Sequence, residues 1–186
     1  MPKIVSDEVV FAAVVQVFGE QGYGGAATKD FARRAGINEV TLFLRYGGKL
    51  ALIELALRHA LEKSPLEQVA YSGDLRADLG AIYSAYQQTN EKYGAVVDNL
   101  LAELPRMPEL QPAASVLFAN IGNIMGIFEA HQAAGRLKTA PPMALINRFI
   151  GPLMARGIFE RALGAQPRAE ISVEDYVEGF LEGCGI

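Results

Sequence analysis

The chain has 186 residues, 51% hydrophobic and 20% charged, which excludes a disordered polypeptide and allows a sizeable core. Its formal net charge of −4 carries no signal for a polyanionic partner as a total. A single cysteine, Cys184, excludes an intrachain disulfide and fits a reducing compartment, where it reads as a small buried hydrophobe rather than a reactive thiol.

The N-terminal MPKIVSDEVV lacks the basic start and unbroken apolar run of a signal peptide. Residues 110–128 are uncharged and long enough to be tested as a membrane span. They include Gln111, Pro112, Ser115, Asn120 and Asn123, so a buried helix is expected, in a soluble cytoplasmic protein with no membrane association. The charge is uneven. Residues 1–63 hold eight basic and seven acidic side chains, whereas residues 64–186 hold nine and fourteen, so a polyanion meets less repulsion at the N-terminal end.

Apolar residues recur at helical spacing and no strand pattern emerges, so the fold class is all-α, with about nine helices. The first helix starts at an N-cap, Ser6, followed by Asp7 and Glu8, which favour the positive end of the helix dipole. It carries Val9, Val10, Ala13, Val14, Val17 and Phe18, and stops at Gly22. Thr28 caps a short second helix over 29–35 that turns Phe31, Ala32 and Ala35 inward and breaks at Gly36. Asn38 caps a third helix to about Arg45, which Gly47-Gly48 ends, and a fourth runs over 49–63.

The remainder is longer helices. One stripe runs from Leu75 through Tyr83 and Tyr86 to Tyr93, and a second from Val96 to Leu104, stopped by Pro105 and Pro108. Pro112 opens a helix that ends near Gly135. Another starts at Pro141-Pro142 and reaches about Leu163, kinked by Pro152, whose ring removes a donor and crowds the carbonyl of Arg148. The last begins at Ser172, with Asp175 at its third position, Ile171 and Tyr176 placed as a hydrophobic staple, and a stripe ending in Cys184.

Residues 28–45 therefore form helix, glycine turn, short helix, with Lys29, Arg33 and Arg34 on the first. That is the pattern of a helix-turn-helix, in which the second helix enters the major groove and the first crosses the backbone. Ala32 and Ala35 let the helices cross closely, and Leu42 anchors the reading helix from below. Spacing alone leaves a helical bundle that binds no DNA equally open.

The run TKDFARRAGINEVTLFLRYGGK (28–49) resembles the DNA-binding region of the TetR family of transcriptional regulators. Ala32, Ala35, Gly36, Ile37, Thr41, Leu42, Tyr46 and Lys49 fit the family pattern in register, and GEQGY (19–23) is similar to its first-helix end. LLAELPRMPEL (100–110) is also similar to a stretch common in the family's sixth helix. The resemblance implies that residues 1–50 form a three-helix DNA-binding domain and 51–186 a larger helical domain for effector binding and dimerisation.

It also implies roles for single residues. Thr28 meets a phosphate; Glu39, Val40 and Thr41 face base edges; Phe43, Arg45 and Lys49 hold the backbone; Lys29 and Asn38 complete the DNA-facing set. Several positions depart from the family pattern. Phe43 replaces a tyrosine and loses a phosphate hydrogen bond, whereas Arg45 replaces histidine or tyrosine and adds charge. Val40 replaces a glycine and can touch a thymine methyl. Glu39 either accepts from a cytosine amino group or weakens binding, and Gly48 weakens the fourth helix's cap.

For the effector half, the resemblance implies a pocket for a small apolar or amphipathic effector, with Tyr83, Tyr86, Tyr93, Asn120, Asn123, Met125 and Phe128 as candidate lining; ordinary core is the alternative for each. The helix around 143–163 and the stripe on 173–184 are expected to pack on their twofold mates, with Ile150, Leu153, Val173, Tyr176, Val177, Phe180 and Leu181 at the interface; docking within the same chain is the alternative. A twofold suits a major-groove reader, whose half-sites lie about 34–36 Å apart or a multiple of that.

His59 and His131 have no partners at metal-ligand spacing, and no catalytic motif appears, so neither a cofactor nor an enzymatic activity is expected. The expected function is a homodimeric regulator that binds a double-stranded operator and is released by a ligand. The alternatives are a dimeric small-molecule-binding protein whose DNA binding is weak or lost, motivated by Glu39, Phe43 and Gly48, and an all-helical lipid carrier.

Overall fold

The structure, a computed structural model, describes residues 5–164 and 171–184. These form nine α-helices, joined by loops and two short 3-10 turns, with no strand among the described residues. The all-α expectation holds. The helix number agrees only because two local differences offset one another.

The first difference is α5 (Leu75–Glu103), one continuous helix where two stripes were expected. Gly94 between the stripes lowers helix propensity without ending the helix, and it is buried. The second lies at Pro152, where two helices replace the expected kink. The chain leaves α7 (Pro142–Phe149) and begins α8 (Gly151–Leu163) across Ile150, and Pro152 sits in the first turn of α8, where its missing N–H costs nothing.

The N-terminal helices follow the glycine punctuation. In α1 (Asp7–Gly25) the backbone leaves helical geometry at Gly22, φ 65°, where the helix was expected to stop. Gly36, φ 69°, closes α2 (Thr28–Ala35), and Gly47, φ 79°, closes α3 (Glu39–Tyr46); both use the left-handed region that favours glycine. Two caps differ from expectation. Ser6 occupies its N-cap position without a side-chain bond, and α2 starts one residue early, with Ala27 at the cap and Thr28 inside the helix. Asn38 caps α3 as expected: its Oδ1 accepts from the Val40 N–H at 2.8 Å.

Two compact units result. The first comprises residues 1–63 and 93–117, so the end of α5 and the start of α6 (Gln111–Ala133) belong with α1, α2, α3 and α4 (Lys49–Leu61). Its core joins Val10, Val14 and Phe18 of α1 to Phe31, Leu42, Leu52, Ile53 and Leu57, and to Tyr93, Val96 and Leu100. Asn99 fastens this layer by donating to the carbonyls of Phe18 (3.0 Å) and Gly19 (2.9 Å).

The second unit comprises residues 64–92 and 118–186. Its core sets Leu79, Ile82 and Tyr83 of α5 against Ile124, Ile127 and Phe128 of α6, Phe149 of α7, and Val177 and Phe180 of α9 (Val173–Cys184). Ser172 caps α9 through the Asp175 N–H at 3.0 Å. Pro108–Ala133 is long and apolar enough to cross a membrane, but its buried positions, among them Ala113, Ala114, Val116, Asn120, Ile124, Ile127 and Phe128, form the face of a packed helix. The side chain of Cys184 lies outside the described residues.

Candidate nucleic-acid interface

Leu42 sets the pose of α3. It is fully buried among the α1, α2 and α4 side chains, and burying such a side chain contributes about 2 kcal/mol. Because Leu42 points inward, the opposite face of an eight-residue helix points out: Val40 is 66% exposed, Phe43 59% and Leu44 79%. Thr41 and Glu39 flank this face and are exposed too.

The polar residues expected to face DNA are largely engaged within the head. The Thr28 hydroxyl donates to Oε1 of Glu39, joining the start of α2 to the start of α3. Arg45 donates to the carbonyl of Val5 at 2.8 Å and pairs with Asp7, which also accepts from the Tyr46 hydroxyl at 2.6 Å. The bond from Tyr46, joined by the charge of Arg45, outweighs burial and holds the Asp7 carboxyl below its usual range. Burial and that same bond push the Tyr46 phenol up to about 12. Together these contacts clamp the end of α3 to the start of α1.

Lys49 donates to the Tyr23 carbonyl, and its ammonium lies 4.2 Å from the centroid of the Tyr23 ring. Burial lowers its pKa, opposed by the charge of Glu103. Glu103 in turn accepts from the Tyr23 N–H at 2.7 Å. On α2, Arg34 forms a two-pronged pair with Glu20 (2.9 and 3.1 Å) and Arg33 pairs with Asp30 (2.7 Å), while Lys29 is exposed. Of the nine residues expected to face DNA, Lys29, Val40, Thr41 and Phe43 are exposed, Asn38 caps α3, and Thr28, Glu39, Arg45 and Lys49 bond within the head. Leu44, the most exposed side chain of α3's outer face, was missed; its offset of two from Leu42 was the signal.

Residues 10–56 match the family described as bacterial regulatory proteins, tetR family. The N-terminal region is similar to that of TetR-family regulators over this segment. Solved structures agree on the fold. A candidate TetR-family transcription regulator from Shewanella sp. PV-4 superposes with a TM-score of 0.73 at 19% identity, covering 97% of this chain and 99% of that one. A Clostridium perfringens protein described as a candidate fatty acid metabolism regulator gives 0.75 at 16%, covering 96% and 99%. A flavonoid-responsive regulator, FrrA, gives 0.67 at 24%, covering 96% of each chain. No curated protein matches the chain. The TetR-family match and fold support a DNA-binding transcriptional regulator.

In the half expected to bind an effector, the expected pocket residues divide. Tyr93 belongs to the core of the first unit and Phe128 to the centre of the second, packed on Phe149 and Phe180. Tyr83 is buried, with its ring 5.0 Å from that of Tyr176. Tyr86 and Met125 are partly buried against the same core. Asn123 donates to the carbonyls of Val69 (2.9 Å) and Leu66 (3.4 Å), a structural role. Asn120 donates to the Ser64 hydroxyl at 3.1 Å, yet its buried Oδ1 has no partner.

Of the expected interface residues, Ile150, Leu153, Val177 and Phe180 are buried in the second unit's own core, so they have little surface left for a partner. Val173, Tyr176 and Leu181 are partly buried against it. On α8 itself, Ile158 (45%), Phe159 (58%) and Leu163 (65%) are exposed.

Proposed function

We propose that the protein is a homodimeric, ligand-responsive repressor that acts in the cytoplasm and has no enzymatic activity. The observation that carries the reading is the outward face of α3, presented by buried Leu42 within a segment that matches the TetR family. The functional division remains residues 1–50 for DNA reading and 51–186 for effector binding and dimerisation, over a double-stranded operator.

Dimerisation is supported by the α8 stripe. Ala155, Ile158, Phe159, Ala162 and Leu163 recur at helical spacing and are all exposed, a face that packs helix against helix. Phe159→Glu converts the dimer to a monomer in sedimentation velocity if this stripe is the interface. Ligand response is supported by two buried oxygens in the second unit, Thr89 Oγ1 and Asn120 Oδ1, that have no partner among the described residues and that a polar group on a small apolar or amphipathic effector satisfies. Occupation that shifts the spacing of the two heads lowers operator affinity.

The test is salt-titrated binding to the DNA upstream of the protein's own gene. Lys29 is exposed and sits on α2, so Lys29→Ala lowers the slope of log affinity against log salt by about 0.9, the value of one phosphate contact. Absence of sequence-specific binding at low salt sinks the reading and leaves a small-molecule-binding protein of the same fold. Glu39, which places a carboxylate beside the DNA-facing surface, favours that second reading.

A further inference from the structure

We propose that the reading helix recognises thymine methyl groups, through an apolar triangle of Val40, Phe43 and Leu44; this rests on the DNA-binding reading above. At about 100° per residue, Val40, Phe43 and Leu44 lie within one third of the circumference of α3, opposite Leu42. Leu42 is fully buried, so the triangle is the outermost face of the head, the part that reaches deepest into a groove.

That face carries no hydrogen-bonding side chain. The groups able to bond a base edge lie to its sides: Thr41 on one flank and Glu39 on the other, with the Glu39 carboxylate already accepting from Thr28. In the major groove the feature matched by an apolar side chain is the C5-methyl of thymine. Three large exposed apolar residues on eight helical positions are otherwise costly to solubility, which points to a partner surface.

Charge decides the class of partner. Residues 28–49 hold five basic and two acidic side chains, whereas the remaining residues hold twelve and nineteen. The apolar triangle thus sits within the positive part of an acidic chain. A duplex supplies negative charge around its groove and methyl groups within it. A second copy of this chain offers acidic surface but no groove lined with methyl groups.

The experiment starts without a defined operator. High-affinity sites are selected from a random duplex library with the full-length protein. Each thymine of a selected half-site is then replaced by deoxyuridine, which removes only the methyl group. We expect the selected sites to be thymine-rich at the centre of each half-site, and the uracil duplex to bind at least about fivefold more weakly. Leu44→Ala, which truncates a 79% exposed side chain, reduces the penalty for uracil. Equal affinity for the thymine and uracil duplexes overturns the proposal while leaving DNA binding intact. Failure to enrich any sequence overturns both. Loss of self-association in Leu44→Ala, with uracil still tolerated, assigns the face to a second copy instead.

Discussion

The hydroxyl of Thr28 donates to the carboxylate of Glu39, so the residue expected to meet a phosphate and a residue expected to meet a base are tied to one another. The tie has two separable consequences for DNA binding: it occupies the hydroxyl, and it holds a negative charge at the head's surface. Glu39→Gln removes the charge and keeps an acceptor; Glu39→Ala removes both. Binding to random-sequence duplex at low salt is expected to tighten by about three- to fivefold, the scale of an exposed charge interaction, and more in the alanine variant. Fluorescence anisotropy reads the order. Two variants that bind no tighter than the parent show that the carboxylate does not oppose the phosphates.

Gly22 is held by geometry rather than by propensity. Its φ is 65°, and a Cβ there comes within 2.6 Å of Glu103 Oε1, the atom that accepts from the Tyr23 N–H. Gly22→Ala combines left-handed strain with displacement of that carboxylate and is expected to cost about 2 kcal/mol. Urea denaturation with an unchanged m-value measures it. Gly24→Ala, where nothing lies within 4 Å, serves as the control and stays near the parent.

The same contrast explains what was legible in the sequence. Gly22, Gly36 and Gly47 mark real departures from helical geometry, because a positive φ is a local property that a glycine announces. The Asn38 cap was readable for the same reason. The single long α5 was not, since a mid-helix glycine ends a helix only where tertiary packing allows, and buried Gly94 is packed. Residue roles in the effector half were least legible. Val177 and Phe180 form an apolar stripe whether they face their own core or a partner, and only the fold shows that the core has taken them.

Asp78 is the acid-sensitive point of the second unit. It is buried at the start of α5, accepting from the Ser72 N–H (3.0 and 3.1 Å), from the Ser72 hydroxyl, and from a ring nitrogen of His131 at 2.8 Å. Burial opposes its ionisation, but the Ser72 and His131 bonds outweigh it and lower its pKa. A lowered carboxyl contributes stability in full above the ordinary value of about 3.9 and loses it as pH falls through the native value. Thermal melts from pH 7 downward are expected to show an acid limb that Asp78→Asn flattens. Asp78→Ala, which leaves Ser72 and His131 unpaired, costs about 3 kcal/mol at neutral pH. A parent and Asp78→Asn variant with parallel pH profiles dismiss the linkage.

Thr89 tests whether the unpaired oxygens serve a ligand. Among the described residues its hydroxyl, buried on α5, has no partner, and Asn120 Oδ1 on α6 is likewise unpaired. Asp78 and His131 touch across these two helices, which a short connection joins as a hairpin. Thr89 lies eleven residues after Asp78 and Asn120 eleven before His131, so each is about three turns from that contact along its own helix. Thr89→Val keeps the shape and removes a buried unsatisfied hydroxyl, so the protein is expected to gain about 1 kcal/mol in denaturant titration. The same change weakens release from DNA by an effector that bonds this site, a trade of response for stability. A Thr89→Val protein less stable than the parent shows that the hydroxyl already has a partner in solution.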